Sequence, residues 1–472
     1  MTTLHEPVGD AEIGIEPVPQ GLRRLRTLDV GVLWGDLAVG VLVLAAGALM
    51  VAPAASSGLG MDLRTALVAV VVGSAAGSLL LALVGLAGHD RGVPTMVLLR
   101  PVLGRAGSYG ASFINVVQLV GWTSFEFWAM ALFASRVSQK VFGFHAFGVW
   151  LAVAAVGCTA LAVAGPIRVI RVWLEKAGIW IVLASCGFLS IYLLTRPGLG
   201  HLLAAHRTGA PFAVGVDLVV AQPVSWLPLV ADYNRFSTNR RANFVGTFGG
   251  YAIGNVWFYA LGALLVLTAH LSDASPEGIA ASVLGLSAGV VIGVVLLVSL
   301  LAGETDAAFA DIYSAAVSTQ NVFPRLPRRV AVVVIGAIGA AIAGVVTLGS
   351  YATFLFLLGS VFVPLFAVVL ADWAAGGLRG QHTGDDPLVR PGMVLAWAAG
   401  FVVYQWIVPP GTMPAWWTRW VTSVLPGAGE HTAWGASLPC FAVTFLIALA
   451  VNAGARVVPA GGGRVRRTFG LH

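Results

Sequence analysis

The sequence predicts an all-α polytopic membrane protein with twelve transmembrane helices, and three observations carry that prediction. Of 472 residues, 58% are hydrophobic and 10% charged, with a mean hydropathy of +0.88; a soluble domain carries roughly 25% charge. The apolar residues fall in runs long enough to cross a bilayer, which takes roughly 20 residues per helix. Basic residues gather in every second segment between those runs. A water-soluble globular fold and a disordered chain are both excluded. Many of the 58 glycines, and Pro223, Pro228 and Pro364 among the 23 prolines, fall inside apolar runs, as membrane helices allow. Cys158, Cys186 and Cys440 all lie in apolar segments, which excludes a disulfide framework or a clustered cysteine metal site.

Taken in order, residues 1–28 read as a cytoplasmic tail. Glu6, Asp10, Glu12 and Glu16 make it polar, and no early apolar stretch suggests a signal peptide. Spans are expected at 29–52, 64–88, 108–134, 147–165, 173–195, 212–232, 244–270, 289–318, 329–347, 350–373, 393–409 and 434–456. The stretch at 277–288 is too short to cross and is expected as a surface or re-entrant helix, and 457–472 as a second cytoplasmic tail.

The basic residues test this count. With the N-terminus inside, the inside segments hold Arg23, Arg24 and Arg26; Arg91, Arg100 and Arg105; Arg168, Arg171 and Lys176; Arg235, Arg240 and Arg241; Arg325, Arg328 and Arg329; Arg379 and Arg390; and Arg456, Arg464, Arg466 and Arg467. Outside there remain Arg64, Arg136, Lys140, Arg196, Arg207 and Arg419. A missed span would scramble this alternation. The net charge of +6 is thus an orientation signal and not a nucleic-acid footprint. The expectation is a monomer in the cytoplasmic membrane, surrounded by lipid, with both termini in the cytoplasm.

Acids stand where lipid should be: Asp36 in the first span, Glu126 in the third, Asp217 in the sixth, and Glu304, Asp306 and Asp311 in the eighth. A mid-membrane charge costs roughly 2.5–3.5 kcal/mol on insertion scales. Such groups persist where they face a polar cavity, bind a cation or carry a proton; helix ends and neutral burial are the plainer alternatives. Two spans also look interrupted. The sixth contains Gln222-Pro223-Val224-Ser225-Trp226-Leu227-Pro228, and the first Trp34-Gly35-Asp36-Leu37-Ala38-Val39-Gly40. Proline removes an N–H and clashes with the preceding turn, and the freed backbone groups must face a cavity or another polar group. Broken helices five spans apart suit a five-plus-five inverted repeat with a midplane binding site. The expected repeats are 29–195 and 212–373, followed by two additional helices over 393–456.

In the third span, Asn115, Gln118, Trp122 and Glu126 share one helix face. Two amides, an indole and a carboxyl suit a flat heterocycle, which needs a plane to stack on and partners for its ring donors and acceptors. They equally suit polar glue between helices.

At these places the sequence resembles the nucleobase:cation symporter-1 family, the purine–cytosine permease-like transporters. Gly14-Ile15-Glu16-Pro17-Val18-Pro19 is similar to the family's tail before the first helix, and Gly92-Val93-Pro94-Thr95-Met96 with Arg100 and Gly104 to its loop after the second. Ser225-Trp226-Leu227-Pro228-Leu229-Val230-Ala231-Asp232-Tyr233-Asn234-Arg235-Phe236 resembles its sixth-helix ending, and Gly359-Ser360-Val361-Phe362-Val363-Pro364-Leu365 with Ala371-Asp372-Trp373 its tenth-helix signature.

The resemblance implies the five-plus-five fold with two extra C-terminal helices. It implies symport of a nucleobase or related heterocycle (cytosine, purines, uracil, hydantoins, allantoin or thiamine-precursor pyrimidines) with Na⁺ or H⁺, and no enzyme chemistry or other cofactor. The spacing looks most like the hydroxymethylpyrimidine branch. Carried onto this chain, Asn115, Gln118 and Trp122 bind the ring from the third helix, and Gln222, Ser225 and Trp226 from the sixth. Gly35, Asp36 and Asp306 add polar contacts from the broken first helix and the eighth.

Two departures follow. Pro223 stands where relatives carry a stacking aromatic, which passes the stack to Trp226 or leaves it one-sided. The family's sodium site uses eighth-helix hydroxyls, and here that pair reads Glu304-Thr305. A carboxylate there strengthens a Na⁺ site or replaces the ion with a titrating proton, since burial favours the neutral carboxyl. Glu304, Thr305 and Asp36 are therefore the expected coupling residues. An amino-acid or amine:cation symporter of the same fold is the alternative, with Asp306 or Glu126 meeting the amine. His5, His89, His145, His201, His206, His270, His382, His431 and His472 lack metal spacing, and Trp416, Trp417 and Trp420 read as an aromatic belt.

Overall fold

Lipid offers a backbone no hydrogen-bond partners, so each apolar run must satisfy its own amides and carbonyls as helix. The computed structural model describes residues 15–164, 178–269, 271, 274–286, 289–377, 386–408 and 411–457. Among the described residues, each of the twelve expected spans coincides with helix: α1 in two halves, α1a (Thr27–Asp36) and α1b (Val41–Val51); α2 (Leu63–Arg91); α3 (Arg105–Phe142); α4 (Phe147–Ala164); α5 (Gly178–Leu194); α6 as α6a (Phe212–Ser225) and α6b (Val230–Asn234); α7 (Arg240–Thr268); α8 (Val290–Val322); α9 (Arg328–Ala343); α10 (Leu348–Ala374); α11 (Pro391–Ile407); and α12 (Ser437–Val457). Among the described residues, eight of these are by themselves long and apolar enough to cross a membrane, and the two halves of α1 together make a ninth. Arg168, Arg171, Lys176, Arg379, Arg464, Arg466, Arg467, His5, His270, His382 and His472 lie outside the described residues.

The packing itself shows the repeat. α1 packs along α7, and α6 along α2; α4 meets α8, and α9 meets α3; α5 touches α7, and α10 touches α2. Adding five to the lower helix number and subtracting five from the higher turns each pairing into its counterpart. An offset of five, being odd, also reverses the direction of every helix, so the two halves are inverted. Helices α11 and α12 stand outside this symmetry and pack on α10 and each other.

The α1–α7 contact is set by small residues, which let membrane helices approach closely. A Cβ at Gly250 would lie 2.1 Å from the Gly31 carbonyl oxygen, and one at Gly254 2.7 Å from that of Gly35. Gly35 therefore serves the seam between the two helices.

The two interruptions differ. α1 is sharply broken: its halves meet at 60° across Leu37–Gly40. α6 keeps its course as one span over Phe212–Asn234 but rewinds to a 3-10 turn at Leu227–Leu229. The Pro223 ring seats against α2, where a Cβ on Gly77 would come within 2.2 Å of Pro223 Cγ. The proline thus faces the second helix.

The short stretch expected near 277–288 forms the helix Pro276–Leu284, capped by Ser275 and packed against α3 and α8, with Ile279, Ala280 and Val283 buried. Asp217, one of the intramembrane acids, caps α12: its two oxygens accept from the backbone N–H groups of Ala436 and Ser437 at 2.5 and 2.9 Å. The helix Ala415–Val424, in the loop before α12, exposes Trp416 and Trp420, while Trp417 Nε1 donates to Gln405.

Candidate functional site

The break in α1 creates a helix N-terminus inside the protein, at Val41, with unpaired N–H groups and a partial positive charge. Glu304 of α8 answers it. Its Oε2 accepts from the Val41 backbone N–H at 2.6 Å, and the side chain is 2% exposed. Gly40 makes the approach possible, since a Cβ there would lie 2.6 Å from the same oxygen. Glu304, expected as an ion or proton ligand beside Thr305, is thus turned to the amide end of α1b. Thr305 Oγ1 donates to the Leu301 carbonyl of its own helix at 2.9 Å.

At the other lip of the break, Asp36 ends α1a. Its carboxyl lies beside that of Asp306 on α8. Three acids thus meet at the discontinuity of α1, and Glu126 and Asp311 form a second pair between α3 and α8. The sequence displays each as an anomaly, but their pairing depends on tertiary packing.

The α3 face looks toward α8 and α6. Asn115 Nδ2 donates to Ser318 Oγ at 2.7 Å, and its Oδ1 accepts from Gln118 Nε2 at 3.0 Å. Gln118 Nε2 also reaches the Ser225 carbonyl at 2.9 Å. That carbonyl is free because the 3-10 turn diverts the amide that would have met it: Leu229 N–H goes to Trp226 O. The Ser225 hydroxyl turns back to the Gln222 carbonyl at 2.6 Å. Asn115 and Ser225 therefore tie helices together, while Gln118 Oε1 and Gln222 Oε1 are buried without a partner.

Aromatic rings complete the walls. Trp122 meets Tyr351 and Phe354 of α10 edge-on, at centroid distances of 6.0 and 5.3 Å. Trp226 meets Trp34 edge-on at 6.2 Å, and Trp34 also contacts Tyr233 and Tyr251. Tyr251, Tyr351 and Phe354 escaped the sequence reading, and Trp34 entered it only as the start of the interrupted stretch, because an aromatic in an apolar run carries no signal of its own. Tyr351 did leave one trace: its hydroxyl, donated to the Leu42 carbonyl at 2.9 Å, is a polar group in an apolar run.

Near Arg235 a polar layer ties the helices together. Asp232 accepts from Thr95 N–H at 3.0 Å, and Ala231 N–H donates to Thr95 Oγ1 at 2.9 Å. Trp34 Nε1 donates to Asn234 at 2.7 Å, and Arg100 Nε to Asn321 at 2.9 Å. Arg235 is fully buried and donates to the Asp232 carbonyl at 3.2 Å.

Residues 17–385 match the sequence profile of the family described as "Permease for cytosine/purines, uracil, thiamine, allantoin". The chain is 25% identical over 384 residues to the cytosine permease of Escherichia coli (strain K12), covering 79% of this chain and 83% of that one. It is 23% identical over 379 residues to the putative purine-cytosine permease YxlA of Bacillus subtilis (strain 168), covering 76% and 78%. Among solved structures it is similar to Mhp1, a nucleobase-cation-symport-1 family transporter, in a closed conformation with bromovinylhydantoin bound: TM-score 0.75, 17% identity, 94% and 95% of the two chains. A Na⁺-coupled sialic acid symporter shares the fold at TM-score 0.63 and 10% identity, over 93% and 91%. A profile match over most of the chain, on a twelve-span fold of this kind, places the protein: it belongs to the permease family for cytosine and purines, uracil, thiamine and allantoin, and is a multi-pass membrane transporter rather than an enzyme.

Proposed function

We propose that the protein is a secondary active transporter that imports a nucleobase or related planar heterocycle together with protons, by alternating access. Its termini lie in the cytoplasm, as the basic loops require. The observation that carries the coupling is the Asp36–Asp306 contact at the lip of the α1 break. Two ionised carboxylates side by side repel, and on this reading the pair shares the transported proton. Loss of that proton drives the two acids apart. Because Asp36 ends the inner half of α1 and Asp306 sits on α8, proton binding is thereby tied to the relative position of two helices from opposite repeats.

Trp122 supplies the plane for the ring, and Gln118, Gln222 and Trp226 its surroundings. Proton and substrate each favour the closed arrangement, and their coupling is reciprocal. Rocking of one repeat against the other then exposes the site to the opposite side.

Uptake of radiolabelled cytosine and hydroxymethylpyrimidine into proteoliposomes tests this. An inward proton gradient in Na⁺-free buffer should drive accumulation, and Asp306→Asn should uncouple it. Accumulation that follows a sodium gradient and ignores the proton gradient would refute proton coupling. Preferential uptake of an amino acid or amine would refute the substrate class.

A further inference from the structure

A cavity of about 270 Å³ lies where three helices end, and it shares no residue with the heterocycle walls. Arg196 follows α5, Thr268 closes α7, and Gly285 follows the helix Pro276–Leu284; all three line the cavity. By the distribution of the basic residues, these ends lie on the outer side of the membrane. Deeper in the bilayer, Trp257 Nε1 of α7 donates to Ser190 Oγ of α5 at 2.7 Å and joins the two helices.

The surface around the cavity is apolar. Ile191 and Leu194 of α5 are exposed, as are Val290 and Val291 at the start of α8, and in a membrane protein such side chains meet lipid. The cavity itself is mixed: Leu193, Leu265 and Leu286 line it together with Arg196, Tyr192 and Ser282. A ligand that satisfies both kinds of wall is amphipathic.

The charges are mixed as well. The Arg196 guanidinium lies over the Tyr192 ring, 4.4 Å from its centroid, and donates to the Tyr192 hydroxyl. A guanidinium carries five N–H donors in a fork that matches the oxygens of a phosphate. The helix ends bear the opposite sign, because the last carbonyls of a helix give its C-terminus a partial negative charge. One guanidinium beside three C-termini suits a head group that carries a phosphate and a cation close together.

We propose that this cavity binds the head group of an ethanolamine phospholipid from the outer leaflet, with the phosphate on Arg196 and the ammonium against the helix ends. The acyl chains then run along Ile191, Leu194 and Val291, and the head group wedges between the outer ends of α5 and α7. A choline head group has no N–H to donate to the carbonyls, and a glycerol head group has no cation.

The test is thermal unfolding of the purified, delipidated full-length protein in detergent, with one phospholipid added at a time and the acyl chains held constant. Phosphatidylethanolamine should raise the midpoint by about 3 °C more than phosphatidylcholine or phosphatidylglycerol does. Arg196→Gln removes the charge, and Ala269→Trp, on the cavity wall, fills the space. Each should abolish that excess and leave the response to phosphatidylcholine unchanged. Phosphoethanolamine and inorganic phosphate, which carry the charges without the chains, should give no shift. An equal response to the three lipids would overturn the inference even if neither variant folds, as would an excess that survives both substitutions. A full shift from phosphoethanolamine alone would overturn the assignment to a lipid.

Discussion

Replacing Gly40 with alanine isolates the contact between Glu304 and the broken first helix. Gly40 has φ −163° and ψ 170°, extended backbone that any residue adopts, so the substitution introduces no backbone strain. Its one consequence is steric: the new Cβ would stand 2.6 Å from Glu304 Oε2 and 3.6 Å from Cδ. The carboxylate ends a flexible side chain, so it retreats and surrenders its 2.6 Å hydrogen bond from Val41 N–H.

A hydrogen bond to a charged group contributes roughly 1.5–3 kcal/mol, and a carboxylate at a partly buried helix N-terminus up to about 2 kcal/mol, largely the same interaction counted again. Gly40→Ala should therefore cost about 2 kcal/mol, read as loss of stability on heating or denaturant titration in detergent. Glu304→Ala should cost a similar amount by orphaning the same amide. In the Glu304→Ala background, Gly40→Ala should be neutral to within about 0.5 kcal/mol, because nothing remains to displace. If the two costs simply add, Glu304 does not cap α1b, and the account of the break is wrong.

Trp122→Ala should weaken heterocycle binding by about tenfold or more, while Trp122→Phe retains much of it, because ring stacking contributes roughly 0.5–1.5 kcal/mol beyond burial; isothermal titration decides this. Thr95→Val preserves shape but orphans the Ala231 N–H, at a cost of roughly 1–3 kcal/mol. It should loosen the layer around Arg235 and raise labelling of a cysteine introduced at Ser318 by a membrane-impermeant reagent added from the cytoplasmic side. Arg390→Ala leaves Asp372, 1% exposed and bonded to Arg390 at 2.7 Å, as a buried unpaired charge. A loss of about 3–5 kcal/mol should appear as poor thermal stability, whereas replacing both residues with neutral partners should recover much of it.

Composition and spacing determined a great deal about this protein. Hydrocarbon imposes one rule on every span: an apolar run of sufficient length becomes helix, wherever its neighbours are. Twelve spans, the break at Trp34–Gly40, the disturbed winding after Pro223 and the anomalous acids were all legible for that reason, since each is a local departure from a uniform pattern. Tertiary structure decided what those departures do. Only packing reveals that Glu304 closes the amide end of α1b, that Asp36 finds Asp306 and Glu126 finds Asp311, and that Gly35 serves the α7 seam. It also decides that the sixth helix rewinds without a sharp bend, and that Trp34 and Tyr351 join the walls. A carboxyl's partner is chosen by which helices lie side by side and in what register. That register comes from shape complementarity among residues far apart in the chain, and no local pattern encodes it.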